Sequence, residues 1–135
     1  MKLSGKAAIV TGAGRNIGEE ISVLFAQEGA KVAVVDMDEG RANAVADRIK
    51  GDGGEAVAVV CDVSDTADIG KMVSATVDAF GAVDILVNNV AISDNKDIFE
   101  ITEDEWRKTI DVTLSTPFYV TKQVAKWMVD NDRGG

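Results

Sequence analysis

The stretch Ala7-Ala8-Ile9-Val10-Thr11-Gly12-Ala13-Gly14-Arg15-Asn16-Ile17-Gly18 decides the fold. A short apolar run meets a glycine-rich turn, and an amphipathic segment opens directly after it. That order is strand, tight turn, helix start. Glycine lets a backbone approach a ligand closely. The first N–H groups of a helix lack intrahelical partners, and the helix dipole is positive there. The stretch therefore reads as a cradle for a phosphate group, and so for a nucleotide.

The pattern repeats downstream. Lys6–Thr11 reads as a strand, followed by a helix with Ile17, Ile21, Leu24 and Phe25 at helical spacing up to Gly29. Lys31–Asp36 is a second strand, Val-rich and apolar on both faces. Ala42, Val45, Ala46 and Ile49 mark the next helix, closed by Gly51-Asp52-Gly53-Gly54. Glu55–Cys61 is a third strand. Ile69, Met72, Val73, Thr76, Val77 and Phe80 give a third helix ending at Gly81, and Val83–Asn88 a fourth strand. Continuous apolar strands between amphipathic helices imply a parallel sheet covered on both faces. The expected class is α/β, a Rossmann-like doubly wound sheet of about four strands, in one domain over residues 1–135. The last helix opens on a Thr102-x-x-Glu105 capping box. Its apolar stripe is Trp106, Ile110, Leu114, Phe118, Val124, Ala125 and Met128, and Pro117 should bend it.

Composition narrows the function. The 135 residues are 46% hydrophobic and 27% charged, with a net charge of −9. That acidity argues against a nucleic-acid or anionic-membrane surface. There is no apolar run of membrane-spanning length and no signal-peptide pattern, so the expected compartment is the cytoplasm. Histidine is absent and Cys61 is the one cysteine, which argues against a metal site or a histidine-based triad. Cys61 reads as a small buried hydrophobe. The acids Glu103-Asp104-Glu105 read as compensation of a helix dipole.

Spacing then identifies the loop. Glycines at 12, 14 and 18 are one step too long for Gly-x-Gly-x-x-Gly. They fit Thr-Gly-x-x-x-Gly-x-Gly, with Gly12, Ile17 and Gly18 in place, Arg15 before the middle position and Asn16 in it. Asn is the non-glycine residue that best tolerates a left-handed backbone. Asp36 ends the second strand, where an acid would accept the ribose hydroxyls of NAD. A 2′-phosphate there would meet like charge, so NADP is disfavoured, although Arg15 could compensate. Asp62-Val63 ends the third strand, and Asn88-Asn89-Val90-Ala91 ends the fourth. Together these motifs resemble the short-chain dehydrogenase/reductase family over the whole chain. The resemblance implies that Asp62 and Val63 contact the adenine, and that Asn89 braces the sheet and approaches the ribose. It implies that Val90 and Ala91 lie towards the nicotinamide. It also implies an NAD-dependent alcohol/ketone oxidoreductase, oligomeric through the last helix.

Three departures stand out. Ala91 replaces the family's glycine. Thr113 stands where the family has the Asn of its proton relay. The family's catalytic Ser and Tyr-x-x-x-Lys are absent from residues 1–135: Tyr119 is followed four residues on by Gln123. No catalytic residue is therefore assigned, and the chain reads as a truncated cofactor half. The alternative is a non-catalytic nucleotide-binding or regulatory fragment. A methyltransferase is a third reading; it predicts a different glycine loop and leaves Asn88-Asn89 unexplained.

Overall fold

The computed structural model describes residues 1–93 and 95–134. Its sheet comprises β1 (Ala7–Thr11), β2 (Lys31–Asp36), β3 (Glu55–Val60) and β4 (Ile85–Val87), in the order β3-β2-β1-β4. Every pairing is parallel; Ala8 aligns with Val32 and with Ile85. Helices α1 (Asn16–Gln27), α2 (Glu39–Gly51) and α3 (Thr66–Phe80) alternate with the strands. The doubly wound α/β expectation is met.

Strand alternation explains the two cores. Successive side chains point to opposite faces. Ile9, Ala33 and Val35 face Ile69, Met72 and Val73 of α3, together with Val120, Val124 and Met128. Val10, Val32 and Val34 face Val23 of α1 and Ala42, Val45, Ala46 and Ile49 of α2. A strand buried on both faces has no position for a polar residue, which is why β2 reads Val-Ala-Val-Val between its charged ends. Cys61 lies in the first of these cores. Burial, before the nearby acids Asp68, Asp62 and Asp65, pushes its thiol up to about 12, so it is inert.

The structure corrects several details. β3 stops at Val60 and β4 spans only Ile85–Val87. The inward stripe of α1 is Gly18, Ser22 and Val23; Ile17 and Leu24 are 70% and 55% exposed. Ser22 satisfies its hydroxyl by donating to Gly18 O at 2.8 Å, so a buried serine is tolerated there.

The last helix is not one bent rod. It consists of α4 (Glu103–Ile110), a π-helical turn at Asp111–Ser115, and α5 (Thr116–Asp130). Pro117 lies in the first turn of α5, where its missing N–H costs nothing. The irregularity lies before it: the Thr116 hydroxyl donates to Asp111 O at 3.0 Å across the widened turn. The buried stripe of α5 is Thr116, Val120, Val124 and Met128, packed against the α3 side of the core. Leu114, Phe118 and Ala125 are exposed instead. No described helix is long and apolar enough to cross a membrane.

The capping box forms as read. Glu105 N donates to Thr102 Oγ1 at 3.3 Å, and Thr102 N donates to Glu105 Oε2 at 2.9 Å. The Lys96 ammonium, which bonds Glu105, and then the Thr102 donors hold the Glu105 carboxyl down at about 2. A carboxylate with a lowered folded pKa contributes stability that is complete above its unfolded value. That contribution is lost as pH falls from 4.5 towards about 2. A carboxyl-detected NMR titration should therefore find the Glu105 midpoint near 2, and Thr102→Ala should move it up. A midpoint at an ordinary glutamate value in the wild type would contradict the cap.

Candidate functional site

All the candidate residues lie beyond the carboxyl ends of the strands, where open parallel sheets bind ligands. After β1, Gly12 takes φ 60° and Asn16 φ 51°. Both are left-handed, and the asparagine sits where a non-glycine residue must tolerate that conformation. Arg15 is the extended N-cap of α1, with φ −164° and no side-chain cap bond. Ile17, in the first turn of α1, projects into solvent.

Close approach explains the glycines. A Cβ on Gly18 would stand 2.2 Å from Gly12 O. One on Gly12 would stand 3.2 Å from both Asn89 Nδ2 and Val90 Cγ2. The turn is thus folded onto α1 on one side and onto the loop after β4 on the other. Glu19 would set a negative charge in the same first turn. Arg48 offsets it with hydrogen bonds to Glu19 at 2.6 Å and Glu20 at 3.1 Å. These two carboxylates hold the Arg48 guanidinium above its ordinary pKa.

Asn89 ties the sheet end together. Its Nδ2 donates to Thr11 O at 3.2 Å and Gly12 O at 3.1 Å, and its backbone N donates to Thr11 Oγ1 at 3.1 Å. Thr11 Oγ1 donates in turn to Val87 O at 3.3 Å. Val90 faces Gly12, while Ala91 is exposed beyond it.

Asp36 stands at the other end of the cradle. Its Oδ2 accepts from Gly14 N at 3.0 Å and its Oδ1 from Asp38 N at 3.0 Å. A carboxylate has about four acceptor positions, so ribose hydroxyls still find lone pairs. The strand-end pair divides. Asp62 is exposed, but its Oδ1 accepts from Ser64 N at 2.9 Å and Ser64 Oγ at 2.7 Å. Val63 is buried in the core.

Gly14 and Thr11 are missing from the sequence-derived set, although both lie in the opening stretch. A Cβ on Gly14 would stand 2.6 Å from Arg41 Cβ and 2.7 Å from Asp36 Oδ2. The signal for Gly14 was its place in the glycine run; its partner Arg41 had none. Thr113 is also defined by its contacts. Its hydroxyl donates to Ile92 O at 2.9 Å and accepts from Ile92 N at 3.2 Å, clasping the loop after β4.

A glycine turn, a strand-end acid and an asparagine brace thus converge on one crevice. Residues 6–135 match the family profile described as short chain dehydrogenase. The chain belongs to the short-chain dehydrogenase family. Among relatives, it is 43% identical over 135 residues to galactitol 2-dehydrogenase of Agrobacterium fabrum, covering 100% of this chain and 52% of that protein. It is 37% identical to sorbitol dehydrogenase of Cereibacter sphaeroides, with the same coverage. A solved 7α-hydroxysteroid dehydrogenase, complexed with NADH and 7-oxo glycochenodeoxycholic acid, superposes with TM-score 0.91 at 36% identity. That match covers 96% of this chain and 51% of the other. A short-chain type dehydrogenase/reductase from Mycobacterium marinum gives TM-score 0.95 at 32% identity, covering 99% and 54%. The chain spans about half the length of the curated relatives it matches. As a short-chain dehydrogenase, it carries the dinucleotide side of the family's fold.

Proposed function

We propose that this chain is the cofactor-binding part of an NAD-dependent short-chain oxidoreductase that interconverts an alcohol and a ketone. The observation that carries the reading is the cradle itself. Gly12 and Gly18 sit where any Cβ would fill the approach, and Asp36 stands within hydrogen-bond reach of the same turn. That geometry fits a dinucleotide: Gly12 to Gly18 would hold the pyrophosphate on the α1 N-terminus, and Asp36 the adenosine ribose. Asp62 and Val63 would border the adenine, with Val63 acting through its place beneath the surface. Asn89, Val90 and Ala91 would line the path towards the nicotinamide.

When bound, the nicotinamide supplies the hydride chemistry. The residues of this chain hold and orient it. Asn89 fixes the loop after β4 to the glycine turn, so both walls of the crevice keep one spacing. Reduction of a carbonyl also needs a proton donor at the developing alkoxide. Residues 1–135 are assigned no such donor, and in this proposal that role falls to a catalytic half outside them.

Isothermal titration with NADH and NADPH tests the reading. NADH should bind more tightly, because Asp36 repels a 2′-phosphate. Asp36→Ala should weaken NADH about tenfold, the scale of a lost charge-assisted hydrogen bond. Tighter binding of NADPH by the wild type, or an unchanged NADH affinity in Asp36→Ala, would remove Asp36 from the ribose.

A further inference from the structure

The wall opposite Asp36 carries a cation that the cofactor reading leaves unused. Arg41 Cβ and Asp36 Oδ2 converge on Gly14, 2.6 and 2.7 Å from where its Cβ would stand. Arg41 therefore rises from the floor of the same corner as the strand-end acid. Its backbone N donates to Asp38 Oδ1 at 2.9 Å, and its Nε lies 3.8 Å from Asp38 Oδ2. Both side chains of that pair are about half exposed, at 46% and 48%. An exposed pair of this length contributes little and is readily exchanged. A phosphate, by contrast, offers a guanidinium two parallel hydrogen bonds.

We propose that Arg41 is a specificity-determining residue that accepts a 2′-phosphate on the adenosine ribose, so that NADP(H) is a second cofactor of this site. Asp36, anchored to Gly14 N and Asp38 N, keeps NAD(H) the preferred one. Arg41 leaves Asp38 for the phosphate and offsets part of the repulsion from Asp36. The inference rests on the cofactor reading above, and its test separates the two.

NADH and NADPH are titrated calorimetrically into wild type, Arg41→Ala, Arg41→Lys, Arg15→Ala and Asp38→Asn, in the full chain that carries this domain. Arg41→Ala should weaken NADPH about tenfold and leave NADH within about twofold. Arg41→Lys keeps the charge but loses the fork, and should fall between. Asp38→Asn should tighten NADPH, because it removes the competing acid while asparagine still caps α2. Equal effects of Arg41→Ala on the two cofactors overturn the proposal. So does wild-type NADPH binding no stronger than the variant's, including none detectable. A selective NADPH loss in Arg15→Ala but not in Arg41→Ala assigns the phosphate to the other arginine and also overturns it. Failure of the wild type to bind NADH overturns the cofactor reading itself.

Discussion

Gly18→Ala should abolish measurable NADH binding and lower the stability of the domain, although alanine is the better helix former. Helix propensity favours alanine over glycine by about 1 kcal/mol. Against this, the new methyl would stand 2.2 Å from Gly12 O, 2.7 Å from Asn89 Nδ2 and 2.9 Å from Ala13 Cα. Two of those three atoms are backbone, so no side-chain rotation relieves the contact. Forced overpacking of a tight site costs about 1–3 kcal/mol, and the clash outweighs propensity. Relief requires α1 to move away from the turn, which separates the helix N-terminus from the Gly12 backbone. Gly51→Ala is the matched control: Gly51 ends α2 and nothing lies within 4 Å of its Cβ position. It should keep NADH affinity and gain up to about 1 kcal/mol. Chemical denaturation and NADH titration of both variants check the pair. Equal behaviour of the two would mean that the close approach at Gly18 has no consequence.

The contrast between these glycines shows what sequence reveals here. The strand–turn–helix order, the parallel sheet and the left-handed Asn16 were legible because each depends on local residue type and period. Gly18 was legible as a motif position, but the reason for it, the carbonyl of Gly12, is a tertiary fact. Helix orientation was harder to read. In α1 the buried face runs through Gly18 and Ser22, residues that hydropathy does not mark. In the final helical segment the stripe changes face, because a π-turn inserts extra backbone between Ile110 and Thr116. A hydropathy period assumes a constant 3.6 residues per turn, and a single π-turn shifts every later position by roughly a quarter turn. That is why Val120 was overlooked and Phe118 misplaced. Arg41 was illegible for another reason: one arginine in a helix's first turn looks like any solvated charge until Gly14 is seen against it.

Asp84→Ala should destabilise the domain by about 2–4 kcal/mol, with the cofactor site left intact in whatever fraction remains folded. Asp84 is 4% exposed and precedes β4 at the amino end of the sheet, opposite the glycine turn. Its Oδ2 accepts from Ala7 N, the first donor of β1, at 2.9 Å in a buried setting. Its Oδ1 accepts from Arg133 at 3.1 Å and lies 4.0 Å from Lys6 Nζ. One carboxylate thereby joins the start of β1, the start of β4 and the segment after α5. The two cations are about half exposed and rehydrate when the acid is lost, so their contribution is small. Ala7 N has no such escape, and an orphaned buried donor costs about 1–3 kcal/mol by itself. The expected ranking of losses is Asp84→Ala, then Asp84→Asn, then Arg133→Ala. The asparagine keeps an acceptor for Ala7 N but not the charge, and should cost about 1–2 kcal/mol. Arg133→Ala should cost under about 1 kcal/mol. Urea unfolding of the three variants gives the order directly. A loss in Arg133→Ala as large as in Asp84→Ala would mean that the ion pair, and not the β1 backbone donor, holds this end of the sheet. Because Asp84 and Gly12 lie at opposite ends of parallel strands, NADH affinity per folded molecule should not change in any of them, whereas Gly18→Ala should remove binding from molecules that are still folded.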